Sequence, residues 1–320
     1  MTGGLVLILA QATDDTTDTV TEVLRARGVG FVRIDTADFP LSVELSAMPD
    51  RLDSPGWLCV DGREMPLASV CSVYRRHPAQ FTFPSDMSGP EKRFATLESV
   101  AGLGGVLAGQ RWRWIDSPAA VADASRKPLQ LRTAASCGLR VPPSLVTNSG
   151  PRVRKFATEV GGNIIYKSLS TGVIIESDEL RIIYTARVCV DDLDDRAIGM
   201  CCHLFQKWVP KVFDVRMTVV GANVFPVAVR TTSEQARTDW RSRYDELSYD
   251  VCAVPAPVRA GALKYLRSMN LTYGAFDFSV TADGEWWFLE CNPSGQWGWI
   301  ADETGLPIAE AIADELVVDA

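Results

Sequence analysis

The sequence predicts an α/β protein with several packed layers, and three observations lead to that prediction. An apolar run at residues 4–10 is followed by a helix-compatible stretch at 15–27 and a second apolar run at 30–35. This strand–helix–strand alternation is typical of α/β folds. Further along, apolar runs of strand length recur between residues 181 and 230. At 320 residues, the chain is long enough for two or three small domains.

The first third of the chain continues the alternation. Asp61-Gly62 suits the tight turn of a hairpin. Asp35 follows the second strand, where a dinucleotide-binding fold would carry an acidic residue. The loop at 11–15 has none of the glycines that such a fold requires, so that interpretation fails. The predicted elements are strands at 4–10 and 30–35, a hairpin around 61–62 that leads into 71–78, and helices at 15–27 and 89–109.

Near residue 115 the pattern changes. Asp116-Ser-Pro118 carries helix-start signals, Pro128 lies inside the following segment, and Gly138 is a helix stop. The remaining predicted elements are an extended segment at 141–148, helices at 151–160 and 256–269, and strands at 163–169, 181–190, 203–209 and 214–221.

Composition and charge exclude several classes of protein. The chain is 47% hydrophobic and 22% charged, as an ordinary globular protein is, and its net charge of −8 argues against a nucleic-acid surface. The apolar start has no basic flank, and no apolar run approaches the ~20 residues of a membrane span. Eight cysteines without a C-x-x-C pair predict reduced thiols and a cytoplasmic location. Two histidines, His77 and His203, argue against a histidine-based zinc site or a Ser-His-Asp triad.

The segment 272–292 predicts a β-hairpin. Asp283-Gly284 suits a two-residue type I′ turn, and that turn would pair residues whose numbers sum to 567. Asp277 would then lie directly opposite Glu290, and Asn292 would point to the same face as Glu290 because strand side chains alternate.

Opposed carboxylates repel each other across ~5 Å, and a cation between them would remove that penalty. An oxygen set of Asp277, Glu290 and Asn292 suits Mg²⁺. The alternative is an exposed hairpin with two unrelated acids.

Lysine is the rarer cation in this sequence, with seven lysines against 25 arginines. Four of the seven lysines lie at positions that are typical of sequence motifs: Lys127, Lys167, Lys207 and Lys211. Lys167 is followed by a stretch of small residues that begins at Ser168, and together they suit a phosphate clamp. For each lysine, a solvated surface position is the alternative.

These segments together resemble the ATP-grasp superfamily over residues 70–312. They are most similar to the ribosomal-peptide maturases that form lactone and lactam cross-links in graspetides, the microviridin-type peptides. The matching segments are Asp116-Ser-Pro through Asn148, Tyr166-Lys-Ser-Leu169, Phe205-Gln-Lys-Trp-Val-Pro-Lys211 with Asp214-Val-Arg216, Asp239-Trp-Arg241, and Asp277 with Glu290-Cys-Asn292 through Trp299.

The resemblance implies an ATP-grasp fold with three parts. An N-terminal α/β pre-ATP-grasp domain would span 1–115, a central domain 116–204, and a C-terminal ATP-grasp domain 205–320. It also implies binding of ATP and of two Mg²⁺ ions, with Mn²⁺ as a substitute.

The resemblance assigns roles to individual residues. Arg230 and Arg241 would orient the acceptor carboxylate, although structural ion pairs suit both equally. Gln206-Lys207 stands where many ATP-grasp enzymes have an acidic residue for the ribose hydroxyls. The implied sets are Asp277, Glu290 and Asn292 for metal; Lys127, Lys167, Ser168, Gln206, Lys207, Trp208, Val209, Lys211 and Asp214 for nucleotide; and Arg216, Arg230 and Arg241 for catalysis.

The implied function is maturation of a ribosomal precursor peptide by an enzyme that is expected to be a homodimer. Asp or Glu side chains of the precursor core would be activated and captured by Thr, Ser or Lys side chains. An acidic cluster, Asp191, Asp192, Asp194 and Asp195, would sit on a projecting turn and bind the leader, or would simply be solvated. The alternatives are a ligase for amino acids or protein termini and a non-catalytic nucleotide-binding regulator. The intact ligand set argues against the regulator.

Overall fold

The computed structural model describes residues 4–51, 55–170, 172–176 and 179–317. The chain forms two compact units. The first comprises 1–119, 271–273 and 307–320, and the second comprises 120–270 and 274–306. Division into three domains stays a prediction. Within the described ranges, no helix is both long enough and apolar enough to cross a membrane.

The secondary structure runs as follows. The strands are β1 Leu5–Ala10, β2 Phe31–Ile34, β3 Val43–Ala47, β4 Gly56–Val60, β5 Arg63–Pro66, β6 Val70–Arg76, β7 Arg113–Ile115, β8 Ser144–Thr147, β9 Ile164–Lys167, β10 Val173–Glu176, β11 Glu179–Ile182, β12 Ala186–Val188, β13 His203–Lys207, β14 Lys211–Val220, β15 Asn223–Thr231, β16 Leu247–Val251, β17 Tyr273–Thr281 and β18 Trp286–Asn292. The helices are α1 Asp15–Ala26, α2 Gly89–Ala108, α3 Pro118–Ala124, α4 Lys127–Ser136, α5 Gly150–Glu159, α6 Asp195–Gly199, α7 Glu234–Thr238, α8 Ala256–Ser268, α9 Gly298–Thr304 and α10 Ile308–Leu316.

The first unit is built on a parallel sheet in the order β2-β1-β6-β7. β1 is apolar throughout and almost fully buried, as a strand covered on both faces must be. Asp14 caps α1 by accepting from the Thr17 N–H. The predicted hairpin turn is confirmed: Asp61 and Gly62 join β4 to β5 with φ of 51° and 72°, as a type I′ turn requires.

The second unit contains the sheets β16-β15-β14-β17-β18 and β12-β9-β13-β8 and the hairpin β10-β11. Aromatic side chains fill the core where α8 covers the first of these sheets. Tyr265 of α8 lies 5.3 Å from Phe276 and 5.6 Å from Phe288, ring centroid to ring centroid. These buried contacts fix the face of β17 and β18 that points away from the polar residues described below.

Most predicted elements are confirmed, and two are wrong. The predicted strand at 181–190 is broken between β11 and β12. The Ile183 N–H bonds to the Gly172 carbonyl and so continues the β10–β11 pairing, whereas the Thr185 N–H bonds to the Asp239 carboxylate instead of a neighbouring strand. The helical segment after 116 is two helices, and Pro128 lies in the first turn of α4, where a missing N–H costs nothing.

Candidate active site

The turn between β17 and β18 differs from the predicted type I′ turn. Thr281 pairs with Glu285, the Gly284 N–H donates to the Thr281 carbonyl at 2.9 Å, and Gly284 has φ of 79°. Asp283 is not among the residues with positive φ, although a type I′ turn would require it. The loop is therefore a three-residue type I turn with glycine in the left-handed position.

A β-bulge compensates for the extra loop residue. Phe278 pairs with Phe288, but Asp277 pairs with Glu290, so Leu289 is the unpaired residue. The predicted pairing of Asp277 with Glu290 is confirmed, whereas the outer pairs are displaced by one residue. Because of the bulge, Phe288 enters the aromatic core while Glu290 faces the polar side of the sheet with Asp277.

Cations surround the two opposed carboxylates. Nη1 of Arg216 donates to both carboxylate oxygens of Asp277, at 2.9 and 2.8 Å. Glu290 lies 3.7 Å from the Lys127 ammonium and 3.5 Å from the Arg241 guanidinium. The site thus brings together three predicted cations and both predicted metal carboxylates.

The surroundings shift the pKa values of the two carboxylates in opposite directions. Burial alone would raise the pKa of Glu290, but the surrounding cations, Lys167 above all, outweigh burial and bring the pKa to about 2. Burial raises the pKa of Asp277 above its usual value, and the Glu290 charge adds to the rise while Arg216 opposes it. Glu290 is therefore held as an anion, whereas Asp277 depends on a close cation to stay ionised.

Gln130 binds the helix that carries Lys127 to the strand that carries Glu290. Its side-chain Nε2 donates to the Cys291 carbonyl at 2.9 Å, and its Oε1 accepts from the Cys291 N–H at 3.1 Å. Both bonds are buried, and Lys127 lies one helical turn away at the start of α4. Sequence reasoning missed Gln130, because its role requires a main-chain partner 161 residues away.

The predicted phosphate loop lies beside the same lysines. Lys127 donates to the Ser168 carbonyl at 2.6 Å, and both residues line a cavity with Lys167, Gly172 and Arg241. Gly172 has φ of 68°, and a Cβ there would lie 2.9 Å from the Ile183 carbonyl oxygen, so glycine is required. Burial lowers the pKa of Lys167, and Glu290 partly restores it.

A second cavity extends from the carboxylates to the segment 205–211, the hinge to which the resemblance assigns adenine binding. It shares Lys167, Thr185 and Arg241 with the first cavity. Arg187 stacks on the Trp208 ring, with its guanidinium carbon 4.2 Å from the ring centroid. The remaining predicted nucleotide residues that line this cavity are Gln206, Lys207, Trp208, Val209, Lys211 and Asp214.

Asp214 is fixed by two neighbours that lie on the same sheet. Lys211 donates to one carboxylate oxygen at 2.5 Å, and Ser279 donates to the other at 2.9 Å. All three residues line the cavity. Ser279 was not among the predicted site residues, since a serine on an apolar strand gives no signal by itself.

Asp239 positions Arg241. Its carboxylate accepts from Nε and Nη2 of Arg241 at 2.9 and 2.8 Å, a two-pronged contact that aims the guanidinium toward Glu290. Arg230, by contrast, pairs with Asp250 at 3.5 Å and is not among the described residues that line either cavity. The structure therefore favours the ion-pair alternative for Arg230 and a site position for Arg241.

The acidic cluster differs from the predicted projecting turn. Asp191 and Asp192 lie in a 3₁₀ turn, Val190–Asp192, and Asp194 caps α6 by accepting from the Arg196 and Ala197 N–H groups. Asp195 pairs with Arg154 at 2.6 Å. All four acids are exposed, but Asp194 and Asp195 have these structural partners, whereas Asp191 and Asp192 lie in the 3₁₀ turn.

The predicted metal ligands would bind a metal only through oxygen atoms, which suit a hard cation such as Mg²⁺. Asn292 is exposed at the end of β18, and its Oδ1 accepts from the Ser294 N–H at 3.0 Å. Among the described residues, no group of three or more His, Cys, Asp and Glu side chains is arranged so that it could hold a metal ion. Two carboxylates and one amide fit an ion whose shell is completed by waters and phosphate oxygens.

The chain is similar to known peptide-modifying enzymes. A family model described as the MvdD pre-ATP-grasp domain matches residues 5–122. The macrocyclase MdnB from Microcystis aeruginosa MRC is 31% identical, with 99% of this chain and 100% of that chain covered and a TM-score of 0.81. A search of curated protein sequences finds no match.

Two further structures have the same fold. The macrocyclase MdnC from Microcystis aeruginosa MRC, bound with precursor peptide MdnA, is 26% identical, covers 98% of this chain and 99% of its own, and has a TM-score of 0.85. An ATP-grasp ligase associated with ribosomal peptides from Chryseobacterium gregarium, in complex with ADP and a leader and core peptide, is 24% identical, with coverage of 98% and 96% and a TM-score of 0.90. With MdnB identical at nearly a third of positions over full length, the chain belongs to the ATP-grasp peptide macrocyclases, the graspetide ligases.

Proposed function

We propose that this ligase uses ATP to join side-chain carboxylates of a ribosomal precursor peptide to hydroxyl or amine groups of the same peptide, forming ester or amide rings. One observation carries the proposal. The opposed carboxylates Asp277 and Glu290 lie among Lys127, Arg216 and Arg241, at one end of a cavity that reaches the hinge. Such a concentration of fixed charges suits phosphoryl transfer, where charge stabilisation and positioning dominate catalysis.

The reaction has two steps. An oxygen of a peptide carboxylate attacks the γ-phosphorus of ATP, the bond to the bridging oxygen breaks, and ADP leaves with that electron pair. The resulting acyl phosphate is then attacked by a hydroxyl or amine of the same peptide, which loses its proton as phosphate departs. The peptide loses one water for each ring formed.

The side chains divide the work. Lys127 and Lys167 neutralise the charge of the phosphates, and the loop at Ser168 positions them. Arg216 stabilises the transferring phosphoryl group through the several N–H donors of its guanidinium. Asp277, Glu290 and Asn292 would hold Mg²⁺, as two ions with Mn²⁺ as a substitute, and the metal would neutralise phosphate charge. With a cation and phosphates present, Arg216 has a second anionic partner besides Asp277.

The hinge would hold the adenine. Main-chain groups of Lys207 and Val209 read the base, and Trp208 supports the ring region with Arg187 stacked on its face. Lys211 is already engaged with Asp214, so both residues shape the pocket more than they contact phosphate.

The peptide partner carries a leader and a core with Asp or Glu and Thr, Ser or Lys residues. Asp191 and Asp192 are exposed and form the part of the acidic cluster that is available to a basic leader. A leader held away from the chemistry raises the local concentration of each core carboxylate, so one enzyme can close several rings. Arg241, aimed by Asp239, would orient the acceptor carboxylate.

We extend the proposal to a homodimer in the cytoplasm. Helix α2 exposes Phe94, Leu97 and Val100, with exposures of 66%, 68% and 55%, and an exposed apolar face supports self-association. All eight cysteines are free thiols, which fits a reducing compartment. Light scattering at micromolar concentration measures the assembly, and a monomer there would contradict the dimer.

The test is mass spectrometry of short peptides encoded near this chain, each co-expressed with it. We expect successive losses of one water in a peptide rich in Thr and Asp or Glu. Methanolysis opens esters but not amides, and it therefore identifies the bond. The matched control is Asp277→Asn, which should leave the peptide unmodified. Ring formation with that variant, or ATP turnover that requires only a free amino acid, would contradict the proposal.

A further inference from the structure

Trp240 packs against the guanidinium of Arg216 inside the candidate active site. The guanidinium carbon lies over the indole, 5.6 Å from the ring centroid. Both residues are only 7% exposed, and Trp240 lines the cavity that also contains Asp277 and Glu290. A cation over an indole face is attracted by the electrons of the ring, and the attraction is stronger where water is excluded. Arg216 thus has an uncharged partner besides the Asp277 carboxylate.

Trp240 is itself held in place from two sides. It begins a 3₁₀ turn that is capped by the Asp239 carboxylate. Its ring lies perpendicular to the Tyr244 ring, with the centroids 5.7 Å apart, and it also contacts the Trp299 ring at 5.8 Å. None of these contacts involves Arg216 or a group that binds phosphate or metal in the proposed mechanism. The indole face therefore keeps its place when the partners of Arg216 change.

We infer that Trp240 is a positioning residue, which keeps the Arg216 guanidinium directed at the transferring phosphoryl group while Asp277 binds the metal ion. The inference rests on the proposed function, which gives Arg216 and Asp277 these roles. Nη1 of Arg216 donates to both Asp277 oxygens, so a metal ion at Asp277 competes with Arg216 for the same oxygens. An aromatic face does not take part in that competition, and it stays with the guanidinium when the carboxylate is occupied.

The ring should matter for the phosphoryl group in transfer and not for ADP. In the proposed site Arg216 acts on that group, whereas Lys127 and Lys167 contact the other phosphates and the hinge holds the base. A guanidinium that is already fixed needs no rearrangement when charge develops on the phosphoryl oxygens, which is the condition for strong electrostatic stabilisation. A cation–π contact shielded from water changes an equilibrium constant by about 3- to 30-fold.

The test compares the Kd of Mg²⁺–ADP with and without aluminium fluoride, measured by isothermal titration calorimetry. Aluminium fluoride beside ADP mimics the phosphoryl group in transfer, so the wild-type enzyme should bind ADP more tightly in its presence. Trp240→Leu should weaken the complex with aluminium fluoride by about 3- to 30-fold and leave the Kd of ADP alone within about twofold. Trp240→Phe keeps a weaker aromatic face and should lose only about two- to fivefold.

Trp299→Leu is the matched control, because it makes the same substitution in the ring beside Trp240. Within the described part of the chain, no guanidinium lies over the Trp299 ring, so this variant should keep the wild-type gain from aluminium fluoride. If Trp240→Leu keeps the full gain, or weakens ADP alone by the same factor, Trp240 does not position Arg216. Should Trp240→Leu fail to fold, a full gain with Trp240→Phe overturns the inference. A wild-type enzyme that gains nothing from aluminium fluoride also overturns it, whereas failure of every nucleotide to bind would overturn the proposed function.

Discussion

Replacing Glu290 by glutamine should destabilise the ligand-free enzyme as well as impair its chemistry. Glu290 is the anion around which Lys127, Lys167 and Arg241 are arranged, and its side chain is only 14% exposed. Removing its charge leaves three cations close together without their shared counterion. Breaking a buried ion pair from one side is costly for this reason.

The magnitude follows from the acidity of the group. The pKa of Glu290 falls from an ordinary 4.5 to about 2, which corresponds to about 3 kcal/mol of stabilisation of the folded state at neutral pH. Because the folded pKa is the lower one, this contribution is fully present above pH 4.5 and is lost as the pH falls toward 2. At pH 3.5 it should have decreased to roughly 2 kcal/mol.

Urea denaturation with EDTA and without nucleotide measures the effect. Glu290→Gln should lower the free energy of unfolding by about 3 kcal/mol at pH 7, and the difference from wild type should shrink at pH 3.5. Glu285→Gln is the matched control on the same hairpin. Its partner Arg140 is half exposed at 2.8 Å, so it should cost less than 1 kcal/mol. Equal stabilities for Glu290→Gln and wild type would refute the reasoning.

Four further predictions follow from the site. Asp277→Asn should remove most Mg²⁺-dependent turnover while circular dichroism stays unchanged; full activity would contradict the metal assignment. Lys167→Ala should raise the Kd of ATP at least tenfold by calorimetry, because a buried cation facing phosphate is lost; an unchanged Kd would show that another residue clamps the phosphates. Gln130→Leu should lower the free energy of unfolding by about 2 kcal/mol and also lower kcat, since both bonds to the strand disappear; a change in neither would mean that the lysine is held by other contacts. Asp191→Asn combined with Asp192→Asn should raise the precursor Kd at low salt and leave the ATP Kd unchanged; an unaffected precursor Kd would make the pair a solvated turn.

The sequence predicted the elements whose signals are local. The buried first strand and the Asp61-Gly62 hairpin follow from apolar runs and turn residues read over a few positions. The strand predicted at 181–190 is interrupted because the Thr185 N–H bonds to the Asp239 carboxylate, 54 residues along the chain, instead of a neighbouring strand. Such competition is invisible in a window of ten residues.

In the candidate site, too, features with local sequence signals were predictable and features that depend on distant contacts were not. The opposition of Asp277 and Glu290 was predictable from alternation and a turn, although the loop is one residue longer than predicted and the bulge at Leu289 restores the pairing. Gln130 was not predictable, because it acts through a main-chain group 161 residues along the chain. Charged site residues can be predicted from sequence patterns, whereas the residues that orient them through distant contacts cannot.

The bulge at Leu289 has a practical consequence for engineering this enzyme. It divides the hairpin into an outer segment that ends in the loop and an inner segment that holds the two carboxylates. The extra residue lets each segment keep its own register. The outer segment is closed by its own bonds at Thr281, and Asp283 is exposed at its tip. A fluorophore or a short reporter inserted at the tip would therefore sit on the same hairpin as the chemistry without shifting the acids that perform it.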